Sequence, residues 1–244
     1  MRLSVTYQVE RVPLGYRMTV LSLLKEALRL ANEAYYKELY EQRSKEMKPF
    51  STAVFLKEFT YHEDEILLKE LSITISSADM EFMLHLFNGL HQLRSYKTDG
   101  QEWKQLRIQM LKEAQVTGER VYFKTLSPIL IENKQRKPLH PDEAEYGEEF
   151  SYYAALRIRE LVGREPYYPI KIEPINMKKT VIKETNSEFR ELVKSYQQYL
   201  YFTAYRGTLR LTGHPADLQF LYQSGVGLRA SQSFGLLEYI REEA

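Results

Sequence analysis

Apolar positions follow two spacings along this chain, and the spacings alternate. Residues 2–10 alternate apolar and polar side chains, as a strand with one buried face does. From residue 18 the period changes. Leu21, Leu24, Leu28 and Ala31 recur every three or four residues, which predicts a helix within 18–43. Ser51–Thr60 and Leu71–Ser76 predict two strands, joined by the polar run Tyr61-His62-Glu63-Asp64-Glu65. Ala78–Arg94 puts Phe82, Leu86, Leu90 and Leu93 on one helical face, and Gln105–Lys112 reads as a further strand. That β-α-β-β-α-β order is the ferredoxin-like unit.

The second half repeats the order less cleanly. Val121–Ile131 reads as a strand and Glu148–Val162 as a helix carrying Tyr152, Ala155, Leu156 and Ile158. Strands are expected near Ile170–Ile175, Met177–Lys183 and Tyr199–Leu211. Pro215–Gln223 reads as a helix and Phe234–Ile240 as the last strand. The pattern alone supports an α+β class. It divides the chain into 1–118 and 119–244, although no Pro/Gly/Ser-rich linker marks the boundary near Gly118.

Composition narrows the function classes. The length of 244 residues fits one large domain or two small ones. With 43% apolar and 27% charged residues, the chain reads as soluble and globular. No apolar run approaches the roughly 18 residues of a membrane helix, so no membrane partner is expected. The opening Met1-Arg2-Leu3-Ser4-Val5-Thr6-Tyr7 reads as a strand, not a secretory signal. The absence of cysteine excludes disulfides, thiolate metal sites and a cysteine nucleophile. Together these predict a cytoplasmic protein.

The net charge of +1 does not mark the whole chain as a nucleic-acid binder. Its distribution is uneven. Lys171, Lys178, Lys179 and Lys183 face only Glu173 within 171–183, whereas 141–149 holds Asp142, Glu143, Glu145, Glu148 and Glu149 and no basic residue. Each run fits a solvated face, and the split also permits one basic face. The five histidines are scattered without metal-ligand company, and there is no phosphate-binding P-loop or dinucleotide fingerprint. No metal and no cofactor are therefore assigned. His85 and Glu81 are four apart on the predicted helix and can pair. Tyr152-Tyr153, Tyr167-Tyr168 and Tyr196, Tyr199, Tyr201, Tyr205 are the densest tyrosine groups. They suit either base stacking or core packing, and alternation puts 199, 201 and 205 on one strand face.

The most informative stretch is Gly225-Val226-Gly227-Leu228-Arg229-Ala230-Ser231-Gln232-Ser233-Phe234-Gly235. It joins the last helix to the last strand. Glycines at its edges permit positive φ and close approach of a ligand to the backbone. Successive amides in such a loop can line an anion-binding concavity, to which Arg229, Ser231 and Gln232 add donors. This loop resembles the C-terminal glycine-rich signature of the RAMP superfamily of CRISPR-associated RNA-binding proteins. Within it the chain resembles the Cas-six family, which cuts CRISPR repeat RNA into guides. That family's pattern is Gly-x-Gly, five residues, then Gly-Phe-Gly; here Ser233 replaces one glycine. Further resemblances come in the family's order: Met1–Val5, Leu39-Tyr40-Glu41 with Lys48-Pro49-Phe50-Ser51, Thr125-Leu126-Ser127-Pro128-Ile129, and Tyr201–Leu211.

The resemblance implies tandem ferredoxin-like (RRM/RAMP-like) domains and cleavage without metal. In that reaction the 2′-hydroxyl attacks the adjacent phosphate, leaving a 2′,3′-cyclic phosphate and a 5′-hydroxyl. It needs a base, cations for the growing charge and an acid for the leaving oxygen. Where many members have histidine after the leucine, this chain has Tyr40. Where they have a helical tyrosine it has Lys25, and Lys48 matches the family lysine. The candidate catalytic residues are thus Tyr40, Lys48 and Lys25. The candidate RNA-binding residues are Gly225, Gly227, Arg229, Ser231, Gln232, Gly235, Lys178, Lys179, Lys183 and Arg43, with Lys179 and Lys183 on one strand face and Lys178 on the other. Three readings stay open: a repeat-RNA endoribonuclease, a non-cutting repeat-RNA subunit of an RNA-guided effector complex, and a protein-interaction scaffold without RNA. A homodimer is open in each.

Overall fold

The computed structural model describes residues 1–98, 100–184 and 199–243. The first unit contains β1 (Arg2–Gln8), β2 (Arg11–Pro13), α1 (Tyr16–Ala31), α2 (Glu33–Lys37), β3 (Phe50–Lys57), β4 (Thr60–His62), β5 (Glu65–Leu67), β6 (Glu70–Ser77), α3 (Met80–Gln92), β7 (Ser95–Thr98) and β8 (Gln101–Met110). Its main sheet has the order β3-β6-β1-β8-β7 with every pairing antiparallel. The second unit contains β9 (Arg120–Thr125), α4 (Ala144–Val162), β10 (Lys171–Glu184), β11 (Leu200–Thr212), α5 (Pro215–Ser224) and β12 (Leu237–Glu242). Its sheet, also antiparallel, has the order β10-β11-β9-β12. In both units the opening strand lies between the third and fourth principal strands. The α+β, tandem ferredoxin-like architecture is therefore present twice.

Each sheet buries one face under its helices. Leu3, Val5 and Tyr7 of β1 join Leu23, Leu24, Ala27 and Leu28 of α1 and Phe82, Leu86 and Leu90 of α3 in one core. Phe123, Leu209 and Leu211 join Phe150, Ala154 and Ile158 of α4 and Leu218, Leu221 and Tyr222 of α5 in another. The period-2 and period-3.6 patterns thus mark which faces meet.

Four departures matter. The helix expected over 18–43 breaks at Asn32, whose backbone is extended (φ −158°, ψ 99°). Its side-chain oxygen accepts from Tyr35 N at 3.1 Å and so caps α2. A π-helical turn, Glu38–Gln42, follows, closed by Arg43 N donating to Glu38 O. The polar run 61–65 lies in a β4–β5 hairpin that adds to β2, a small sheet the pattern did not predict. The strand expected over Val121–Ile131 ends at Thr125. Beyond it Leu126 N and Ser127 N turn to Leu236 O, and Ile129 pairs with Tyr205. The two strands expected over 170–183 are one, β10, with an irregularity between Pro174 and Asn176, where proline has no amide to donate.

Polar groups tie the units together. Arg2 is buried and donates to Glu238, Tyr222 O and Leu237 O. Thr52 Oγ1 and Ser233 Oγ share a buried hydrogen bond of 2.9 Å. No helix among the described residues is long and apolar enough to cross a membrane.

Candidate RNA site

The break at Asn32 and the π turn decide where Tyr40 goes. Leu39 is buried in the first core, and the next residue turns its ring toward α1. Lys25 Nζ lies 4.7 Å from the Tyr40 ring centroid and Lys48 Nζ lies 5.4 Å from it. Tyr36 packs on the same ring at 5.4 Å. The three candidate catalytic residues, drawn from three segments, therefore share one phenol ring. Two ammonium groups near an aromatic face gain from its quadrupole. The Tyr40 hydroxyl is buried and has no hydrogen-bond partner among the described residues.

Burial sets the chemistry of this cluster. It pushes the Tyr40 phenol far above its ordinary value, with Tyr36 and Tyr35 adding to the effect. Tyr40 thus stays protonated at neutral pH and can donate or orient, but it is no base. Burial pulls the Lys48 amine below the ordinary lysine value; Arg43 and Lys25 push the same way and Glu46 opposes. Lys48 Nζ is held by Arg43 O at 2.6 Å and Ser44 O at 3.4 Å. Arg43 itself is engaged: Nε donates to Glu46 at 2.6 Å and Nη1 lies 3.7 Å from Glu38. Arg43 thus faces two carboxylates while remaining exposed.

The glycine-rich loop leaves α5 and packs against β3. Gly225, Gly227, Arg229, Ser233 and Gly235 all have positive φ, between 56° and 86°. At Gly235 a side chain would meet Val226 O at 1.8 Å, so only glycine fits. Ser233 stands where the resembled family has glycine, and it keeps the left-handed backbone (φ 63°) that glycine would adopt freely. Its hydrogen bond to Thr52 helps hold it there.

Several of the loop's amides are bonded within the protein. The amides of Val226, Leu228, Gln232 and Gly235 donate to Gly235 O, Leu130 O, Arg229 O and Pro128 O. Gln232 Oε1 accepts from Arg229 Nη1 at 2.9 Å, and the Arg229 guanidinium lies over Phe202 at 4.5 Å. Arg229 remains exposed and Ser231 half-buried. The loop is thus a braced ledge that presents Arg229, rather than a row of free amides.

On β10 the expected alternation holds. Lys179 pairs with Tyr205 and Lys183 with Tyr201, while Lys178, opposite Arg206, takes the other parity. Lys183 is engaged, 3.0 Å from Asp64 Oδ1 and 3.5 Å from the Tyr199 ring centroid. Lys178 and Lys179 are exposed. Of the strand tyrosines, Tyr205 is buried against His140 and Tyr201 is exposed; Tyr196 lies outside the described residues. Four of the five histidines have partners of their own, and His62 is exposed at the end of β4. His214 and His140 accept backbone amides, His85 sits by Asn32, Tyr35 and Glu81, and His91 packs on Phe87. Among the described residues no three His, Cys, Asp or Glu side chains group as metal ligands.

Sequence reasoning missed Arg157. Only 2% exposed, it faces no carboxylate among the described residues. Its guanidinium donates to Ser224 O at 2.5 Å, Ser224 Oγ at 3.2 Å, and Lys48 O and Phe50 O at 3.4 Å each. One side chain of α4 thus pins both the lysine segment and the residue before Gly225. The available signal was a charge on an apolar stripe: Phe150, Ala154, Arg157 and Ile158 share one face of α4.

Two ferredoxin-like units, with a glycine-rich loop before the last strand and a lysine–tyrosine cluster beside it, define a RAMP-type CRISPR-associated protein. A family profile described as "CRISPR associated protein Cas6, C-terminal" matches residues 111–239, over half of the chain. The chain belongs to the Cas6 family. Solved structures agree on the fold. A Cas6-related protein from Pyrococcus furiosus superposes with a TM-score of 0.80 at 20% identity, over 100% of this chain and 99% of that one. A RAMP protein binding different RNA substrates gives 0.78 at 19% identity, over 99% and 100%. A CRISPR associated protein Cas6 gives 0.74 at 17%, over 99% of each. No curated protein sequence matches the chain at a significant level.

Proposed function

We propose that this protein binds CRISPR repeat RNA and cleaves it slowly without a metal ion. The observation that carries the reading is the convergence of Lys25 and Lys48 on the Tyr40 ring. Membership of the Cas6 family supplies the substrate class. The RNA backbone crosses the glycine-rich ledge at Arg229, with Lys178 and Lys179 contributing from β10. At the scissile phosphate the RNA's own 2′-OH gives up its proton to solvent water as its oxygen attacks phosphorus, and the P–O5′ bond breaks. The products are a 2′,3′-cyclic phosphate and a 5′-hydroxyl. Lys25 and Lys48 stabilise the charge that grows on the phosphoryl oxygens, and the desolvated Lys48 amine passes a proton to the departing 5′-oxygen. Tyr40 acts through its ring, whose face holds the Lys25 and Lys48 ammonium groups together. With no strong base in the cluster the reaction runs slowly, since one general acid or base is typically worth ~10²–10⁴ in rate.

The test is single-turnover cleavage of the cognate repeat in EDTA. Lys48→Ala should lower the rate far more than the affinity, because its charge matters most in the transition state. Tyr40→Phe should have the smaller effect, and each His→Ala variant should cut as the wild type does. Full activity in Lys48→Ala sinks the assignment. A second reading has its own support: Tyr40 is a phenol that cannot act as base. Tight binding without cleavage would make this chain a repeat-RNA subunit of an RNA-guided complex.

A further inference from the structure

Beside the glycine-rich loop, on the side of α4, lies an open pocket of about 660 Å³. Leu228 of the loop forms part of its wall, so it is continuous with the ledge. Tyr152, Tyr153 and Leu156 of α4 form the apolar side. Tyr152 is 56% exposed, and its ring stands edge-on to Tyr153 with centroids 5.4 Å apart. Tyr153 is anchored by donating to Glu132 O at 2.9 Å.

Charge divides the rim. The turn 133–137 carries Lys134 and Arg136, both exposed and without an ion pair among the described residues. Asn133 Oδ1 fixes this turn by accepting from the amides of Gln135 and Lys137 at 3.0 Å each. The opposite wall carries the carboxylates of Glu148 and Glu149, also unpaired, and Glu132 lies between. Phosphates are attracted to the turn and to Arg229, and repelled from the helix wall. An RNA strand leaving the ledge can therefore place its backbone only along the turn. What it directs toward the tyrosines is the uncharged part of a nucleotide.

We infer that this pocket holds one unstacked nucleobase of the bound RNA, packed on Tyr152 and Leu228, and selects a base whose edge presents donors to the pocket's carboxylates. Guanine fits best, because its adjacent N1–H and N2–H groups match the two oxygens of one carboxylate. Uracil and its flanking carbonyls fit worst. Base–aromatic stacking is sequence-tolerant, so the tyrosine supplies affinity and the carboxylates supply choice. The inference rests on the RNA-binding reading above and adds a specificity pocket to it.

The experiment uses the full chain and a set of synthetic cognate repeat RNAs, each with one abasic nucleotide, titrated by filter binding. Tyr152 is exposed, so Tyr152→Ala leaves the fold intact. At one position, a guanine, removing the base should weaken wild-type binding about tenfold, as loss of one stacked base does. At that position Tyr152→Ala should show no further loss, and inosine, which lacks the N2 donor, should bind the wild type more weakly than guanine. If the abasic and Tyr152→Ala effects multiply at every position, or no single position is sensitive, the pocket is overturned while the RNA-binding reading stands. If the wild type binds the intact repeat no better than an unrelated RNA, both are overturned.

Discussion

Replacing Arg157 tests whether one buried side chain joins the lysine segment to the glycine-rich loop. Burial alone pushes its guanidinium from the usual arginine value down to about 10. At 1.36 kcal/mol per pKa unit, holding the charge there costs roughly 3 kcal/mol at neutral pH. Against this stand two firm hydrogen bonds to Ser224 and two long ones, to Lys48 O and Phe50 O. A hydrogen bond from a charged donor contributes about 1.5–3 kcal/mol, so the firm pair alone offsets the desolvation. In Arg157→Met the desolvation cost disappears, but Ser224 O is left buried without a donor, at about 1–3 kcal/mol. No carboxylate is stranded, so the loss stays below the 3–5 kcal/mol typical of a broken buried ion pair. The expected destabilisation is about 1–3 kcal/mol, a fall in Tm of roughly 2–12 °C for a chain of this size. Arg157→Lys keeps a bond to Ser224 O but cannot reach the lysine segment at the same time. It should recover most of the Tm while single-turnover cleavage stays depressed and RNA affinity is near normal. Unchanged Tm in Arg157→Met would refute the hydrogen-bond reasoning. Equal cleavage in wild type and Arg157→Lys would refute the coupling.

Two further outcomes follow from the loop and its surroundings. Thr52→Val should destabilise by about 1–2 kcal/mol in denaturant titration, because Ser233 loses its buried partner yet keeps its left-handed backbone; Ser233→Gly, which relieves that backbone as it loses the same bond, should cost less, and a larger loss in Ser233→Gly would show the strain is unimportant. Glu184 is 5% exposed, and burial raises its carboxyl to about 7, with Arg17 pulling the other way. A raised folded pKa favours the fold while the group is protonated, so this contribution is complete below the unfolded value of 4.5 and is lost as pH rises through about 7. Glu184→Gln should therefore match wild-type Tm near pH 4.5 and exceed it at pH 8; parallel Tm profiles would remove Glu184 as the titrating group.

The order of elements was legible in the sequence because burial on one face leaves a periodic trace. Leu21, Leu24 and Leu28 mark one helix face and Phe82, Leu86 and Leu90 another, and both faces pack into the first unit's core. The glycine loop was legible because positive φ and close backbone approach restrict residue type, as at Gly235. The candidate trio Lys25, Tyr40 and Lys48 could be named from a resemblance, residue by residue. Its convergence could not be read, since it depends on a helix break at Asn32 and a π turn at Glu38–Gln42, both local choices within a continuous helical pattern. Nor could the sequence show that Arg43 is held by two carboxylates, that Lys183 is paired with Asp64, or that the loop amides of Val226, Leu228, Gln232 and Gly235 are already bonded. Periodicity reports which side of an element leaves water. Whether a cation is free for RNA, or a buried one such as Arg157 links two distant segments, depends on which groups the fold brings within hydrogen-bonding distance, and that is decided by contacts between residues far apart in the chain.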